Sequence, residues 1–357
     1  MKHSWTAAVA AGLGLALQGV PAKAQEAIGI TIISGNSPQT SSVYGVVNGF
    51  IPTVDTELAK SGKYKITWNE AYSGQIAKPR AELEAVASGL GDVGLVITAY
   101  TPDKLPLHQI GFSTPFSSQN VEVQIGALNV LLDTEDAFKA EWGAFNQHAL
   151  RISGIVDAYS FHSTVPMKTL EDIKGKKLAG VGANLPWIVA AGGAPVTGEM
   201  STAYNSLQSG VYEGVLFWQQ IAMALKLCEP APYALITGAG GSPTVALTVN
   251  SDVWGGLPDE VKAAFKVGAE EWHKANIKAL LEGSAAGRKV CEDEYGQETA
   301  TLSEEEMRAW ASELPALGKE WAERADARGG PGAKMLSTYM AYMRDNGQTV
   351  MRDWDRE

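Results

Sequence analysis

The sequence predicts an α/β fold of two lobes with a cleft between them, and three observations carry that expectation. Short apolar runs at 28–34, 64–70 and 92–98 alternate with helical patterns. The same alternation recurs in the second half, with strand-like runs at 176–181 and 211–217 around helical patterns from 185 and over 201–209. A long helical pattern then starts after Pro258 and runs towards Cys291. Strands and helices alternating at this spacing read as parallel sheets with crossover helices, and 357 residues suffice for two such units.

Residues 1–24 read as an export signal: Lys2 and His3, a short apolar stretch over 6–20, and Ala22-Lys23-Ala24 as the small-x-small cleavage site. The stretch is Gly-rich and too short for a membrane span. The run 28–34 then reads as a buried strand with a polar exit loop at 35–39, followed by a helix over about 41–60 and a strand over 64–70. Pro79 to Ser88 reads as a helix with proline at its first turn, which puts Arg80 in that turn. Gly89 ends it, 92–98 is a third strand, and Pro102 and Pro106 punctuate the next loop.

In the second half, 151–161 is strand-like and a helical turn from Thr169 stops at Gly175. Apolar runs at 227–236 and 243–250 read as strands returning between the halves. The first lobe is therefore expected over 25–149 plus 240–285, and the second over 150–239 plus 286–357 with the C-terminal helices. Ser303 to Glu306 has the pattern of a capping box, and the Gly-rich stretch at 329–332 breaks the chain before the last helix.

At 45% hydrophobic and 19% charged, the chain can bury a core and is not disordered. Forty acidic against 29 basic residues give a formal charge of −11. Loss of Lys2 and Lys23 with the signal leaves 27 basic residues and −13. That balance argues against a nucleic-acid partner. His108, His148, His162 and His273 are scattered along the chain, and no nucleophile or acid–base pair accompanies them, so no catalytic residue, cofactor or metal centre is expected. Export puts Cys228 and Cys291 in an oxidising compartment, where they read either as one disulfide or as two small buried hydrophobes.

In order and spacing, several segments resemble the substrate-binding proteins of tripartite ATP-independent periplasmic (TRAP) transporters. In the first lobe these are Ser73-Gly-Gln-Ile, the 79–89 helix, the strand after Asp92 and Ser113 to Phe116. In the second they are 169–178, Gly193 to Val196 and 203–214. The resemblance implies a periplasmic binding-protein fold with a long interlobe helix. It further implies a monomeric receptor that closes on a small organic acid and passes it to membrane permease subunits. One departure is informative. Typical members carry an arginine where this chain has Ala179, and that arginine grips the ligand carboxylate.

Three substitutes are open. The Gly180–Pro186 turn, with Asn184 as cap, is either an anion site at a helix start or an ordinary strand–helix turn. Arg80 is either a cleft-edge anchor or a solvated surface residue, and Arg151 reads better as structural. Matching pocket positions are unusually apolar: Ile97, Tyr100, Tyr159, Phe161, Trp187, Met200, Phe217 and Trp218. Each alone is as well explained as core, but together they point to a flat or apolar ligand body. The expected function is thus a receptor for an apolar or aromatic monocarboxylate. The alternatives are a carboxylate bridged by a divalent cation, with Glu213 and Gln219 as ligands, and an exported enzyme using the same cleft.

Overall fold

In a computed structural model of the chain, residues 25–241 and 244–357 are described, and the expected signal peptide lies outside them. The strands are β1 (Glu26–Ile33), β2 (Tyr64–Ala71), β3 (Val93–Ile97), β4 (Gln147–Gly154), β5 (Tyr159–Ser163) and β6 (Lys177–Gly180). They continue with β7 (Ala194–Thr197), β8 (Gly214–Trp218), β9 (Tyr233–Ile236), β10 (Thr244–Asn250) and β11 (Glu298–Thr301). Among the described residues they form two sheets, ordered β2-β1-β3-β10-β4 and β11-β9-β5-β8-β6-β7.

The sheets are mixed rather than purely parallel, and the direction of the crossings explains why. β1 runs parallel to β2 and β3, and β6 runs parallel to β7 and β8. β10 is antiparallel to β3 and β4, and β5 is antiparallel to β8 and β9. The chain leaves β4 at Gly154 and enters β5 at Tyr159, then leaves β9 at Ile236 and enters β10 at Thr244. Each crossing departs from the carboxyl edge of one sheet and arrives at the carboxyl edge of the other. A strand that enters at that edge must run away from it, against its neighbours.

The single strand expected over 151–161 is accordingly two strands broken at 155–158. The expected lobe limits fall within β4 and in the second crossing. The run at 227–236 is strand only from Tyr233, and the chain before it contains the helix Gln219–Ala224. The two crossings touch. Gly241 N–H donates to Gln124 Oε1 (3.0 Å), and a β-carbon at Gly241 would lie 2.1 Å from Val156 O. Only glycine admits that approach.

A helix continuous through the segments Ser41–Gly45, Val46–Phe50 (a π turn) and Ile51–Ala59 covers the first sheet. The helix Asp259–Tyr295, 37 residues and about 55 Å long, packs across it and continues to the second lobe. At their crossing a β-carbon on Gly45 would meet Trp272 O at 2.8 Å, and Trp272 Nε1 donates to Ser42 O (3.0 Å). The far end of the long helix is covalently tied: Cys228 and Cys291 form a disulfide, with Cα atoms 5.5 Å apart. The C-terminal helices, expected with the second lobe, touch both. Trp310 on Glu304–Glu313 stacks on Phe161 of β5 (5.9 Å), whereas Gly332–Asp345 lies on Val121–Thr134.

Several histidines are buried neutral. Burial pushes His108 down to about 3. It pushes His162 to about 4, with help from Arg288, and His273 to about 4, with help from Arg151 and Lys274.

Two outcomes follow from this architecture. Replacing both cysteines with alanine opens a 63-residue loop and is expected to cost about 4 kcal/mol in urea unfolding. Because the unfolded imidazoles take up protons near pH 6.5 and the folded ones do not, the histidine contribution to stability is full above that pH and is lost as pH drops towards 4, while buried Glu141, its carboxyl pushed up to about 7 by burial, contributes with the opposite sign. In urea unfolding between pH 7.5 and 5, the His108→Leu variant should therefore lose less stability, or gain more, than the wild type, by up to about 1.4 kcal/mol per pH unit.

Candidate functional site

The carboxyl edges of both sheets face one another across a cavity of about 470 Å³. The first lobe supplies the loop after β1, with Asn36 and Gln39, and the end of β3, with Ile97 and Tyr100. The second supplies Met200 and the end of β8, with Trp218, Ile221 and Met223. Ile155, from the first crossing, also lines it. Most of the wall is apolar or aromatic. Its polar edge is the start of the helix at Ser41, where Thr40 turns its hydroxyl back to Ser37 O (2.8 Å) and leaves the first-turn amides without a side-chain cap.

Four of the residues singled out from sequence line this cavity: Ile97, Tyr100, Met200 and Trp218. Arg80 joins them indirectly, its guanidinium lying 4.7 Å above the Tyr100 ring centroid. Its placement differs from the expected first helical turn. The helix begins at Glu82, and Arg80 precedes it with φ of +78°. A β-carbon in that region costs about 1–2 kcal/mol, and such outliers concentrate at functional sites. The turn is held by Glu82, which is buried and accepts from Gly35 N–H (3.0 Å), joining the loop after β1 to the helix start. Burial raises the Glu82 carboxyl, and backbone amides partly offset this. Burial likewise raises the Tyr100 phenol, with Arg80 opposing and Glu82 adding. Arg80 itself has no carboxylate partner among the described residues, and it meets the cavity through the Tyr100 ring rather than as a lining residue.

Other expected residues are placed elsewhere. Phe161 stacks on Trp310 and is core. Phe217 is fully buried in the second lobe with Ala179 and Val215, because alternate strand residues face opposite sides and Trp218 takes the cleft end. Ala179 is buried, with Gly198 packed against it. At the turn after β6, for which both an anion site and an ordinary strand–helix turn were open, the local geometry is that of the ordinary turn. Asn184 spends its Oδ1 on Val181 N–H (2.9 Å) rather than capping, and the following helix Leu185–Ala190 has six residues. Asn184, Trp187 and Tyr159 are instead buried together. Arg151 is held by Glu270 (3.1 Å) and Asp133 (3.8 Å), a structural role linking β4 to the long helix.

Glu213 and Gln219 cannot share a cation: they flank the five residues of β8, about 20 Å apart. Glu213 accepts from Lys177 N–H (2.9 Å) at the far end of the strand. Sequence reasoning missed Asn36, Gln39 and Ile155 as lining residues. The rule that ligands sit beyond the carboxyl ends of strands would have found Asn36 and Gln39 in the exit loop of β1. Ile155 was hidden inside what read as one strand.

The family described as bacterial extracellular solute-binding protein, family 7 (DctP), matches residues 33–324. The chain belongs to this family. It is therefore an extracellular solute-binding protein, and no helix of the described residues is long and apolar enough to cross a membrane.

Solved structures share the receptor's fold. One is a TRAP solute-binding protein from Rhodoferax ferrireducens in complex with copurified benzoate, at 19% identity and TM-score 0.72, covering 89% of this chain and 98% of that one. Another, from Bordetella bronchiseptica with bound (R)- and (S)-mandelate, has 22% identity and TM-score 0.71, covering 89% and 99%. A third, from a Sulfitobacter species with bound β-D-galacturonate, has 18% identity and TM-score 0.68, covering 88% and 100%.

The strained turn gives this receptor a measurable signature. Arg80→Gly should unfold at a higher temperature than Arg80→Ala, by the equivalent of about 1 kcal/mol, because only alanine retains the left-handed penalty.

Proposed function

We propose that this receptor binds an organic acid with an apolar or aromatic body by hinge closure of its lobes and delivers it to the membrane permease of a TRAP transporter. The observation that carries the reading is a cavity walled by Tyr100, Trp218, Met200 and Ile97, with the Arg80 guanidinium, which has no carboxylate partner among the described residues, stacked on the Tyr100 ring. Tyr100 and Trp218 come from different lobes, so closure would sandwich a flat ligand between them. Burying about 100 Å² of ring surface contributes roughly 2.5 kcal/mol before ordering costs. Arg80 then takes the part that arginine at the Ala179 position plays in typical members: it pairs with the carboxylate. The apolar body distinguishes this reading from one built on dicarboxylates or uronates, whose hydroxyl and carboxyl groups would need partners along the whole wall. The benzoate and mandelate seen with structural neighbours are acids of the proposed kind.

The two crossings and the long helix are the connections about which closure would turn. Ligand recognition needs no metal, because Arg80 already supplies the positive charge.

The test is a thermal-shift and Trp-fluorescence screen of the mature protein. Aromatic and keto monocarboxylates should raise the melting temperature, with or without chelator, and Arg80→Gly should weaken them by tenfold or more, the usual loss for a charge-assisted contact. A response to small hydrophilic dicarboxylates alone, or one abolished by chelator, contradicts the reading.

A further inference from the structure

The long helix contains three glycines, Gly268, Gly283 and Gly287, although glycine is a poor helix former. At each of them another helix fills the space that a side chain would need. A β-carbon on Gly268 would lie 2.7 Å from Val54 Cγ2, on the helix that covers the first sheet. One on Gly283 would meet Gln220 Nε2 at 2.7 Å, and one on Gly287 would meet Met223 Cβ at 3.2 Å and Gln219 O at 3.5 Å. The last two glycines are therefore notches that receive the helix Gln219–Ala224. Gln220 and Met223 also line the interlobe cavity, so each has the long helix behind it and the cavity in front.

The register of this contact is pinned. Gly283, Gly287 and Cys291 recur every four residues and so share one face of the long helix. They meet Gln220, Met223 and Cys228 in the same order, and the last pair is the disulfide. The same helix is fastened to the first lobe by Trp272 Nε1, which donates to Ser42 O (3.0 Å), and by Asn276 Nδ2, which donates to Gly154 O (2.7 Å). Ser42 lines the cavity too. One helix thus carries part of the wall of each lobe, and the room between those walls depends on how closely each is seated on it.

We infer that Gly283 and Gly287 are positioning residues that set how large a ligand body the cavity admits. Having no side chains of their own, they let Gln220 and Met223 draw back against the helix backbone. A methyl group at either position drives its partner forward into the cavity, because a close-packed contact leaves no room behind it. Neither glycine touches the ligand; both act through the side chains they seat. The inference rests on the reading of this cavity as the ligand site and adds the feature that limits the ligand's bulk.

The test compares two flat acids of different bulk, benzoate and 2-naphthoate, by titration calorimetry of the mature protein and of its Gly283→Ala and Gly287→Ala variants. Each variant should weaken 2-naphthoate about tenfold more than benzoate. Truncating the seated side chain should cancel the effect. In a Met223→Ala background Gly287→Ala should change the preference by less than about twofold, and Gln220→Ala should do the same for Gly283→Ala. A purely structural role would weaken both acids alike, so equal losses overturn the inference, as does an effect that survives both truncations. If the wild type binds neither acid, the aromatic-acid reading falls; if it binds only one, that reading stands. In both of those cases ligand-free crystal structures decide the inference: a cavity narrowed by Met223 in Gly287→Ala supports it, and Met223 at its wild-type position overturns it.

Discussion

The structure depends on one constraint: the chain passes between its two sheets twice, and both times at the carboxyl edge. Two strands are forced antiparallel as a result, β5 and β10. Both crossings are brought into contact, with Gly241 against the Val156 carbonyl, and Tyr159 is anchored through its backbone to the second crossing. The crossings thus lie beside the cavity, with Ile155 of the first crossing among its lining residues. The long helix joins the two lobes a second time, packing on the helix Gln219–Ala224 that carries cavity-lining Gln220 and Met223, and the disulfide to Cys228 ties its far end.

Charge is used sparingly around that cleft. A chain with a formal charge of −11 repels anions at long range, so affinity for an acid would have to come from local groups. Arg80 is such a group, without a carboxylate partner among the described residues and held over Tyr100 by a strained turn that Glu82 fastens to the loop after β1. Ala179 is a small buried side chain, and on the second-lobe side of the cavity Met200 and Trp218 present apolar surface.

Much of the fold was legible from sequence, because apolar periodicity survives wherever an element is buried on one face. The strands β1, β2, β3 and β10, the helix after Pro258 and the Ser303 capping box were all readable this way. Strand direction was not, since an apolar run carries no sign of which end it enters from. The β4–β5 break was invisible because Ile155 and Val156 continue the apolar pattern through the crossing. At the site, Ile97, Tyr100, Met200 and Trp218 were legible as strand ends and loop residues flanking them. Phe217 misled because the residue one step before a strand's end faces the opposite side, and Phe161 because it ended the run that read as one strand but sits midway along β5. The position of Arg80 depends on a left-handed turn that proline-led helix rules do not anticipate.

The most direct test of the account is a crystal structure of the mature protein with an aromatic acid bound. The account predicts the ring between Tyr100 and Trp218, with the carboxylate on the Arg80 side. A ligand held elsewhere, or one whose carboxylate lies at the Ala179–Asn184 turn away from Arg80, would contradict it.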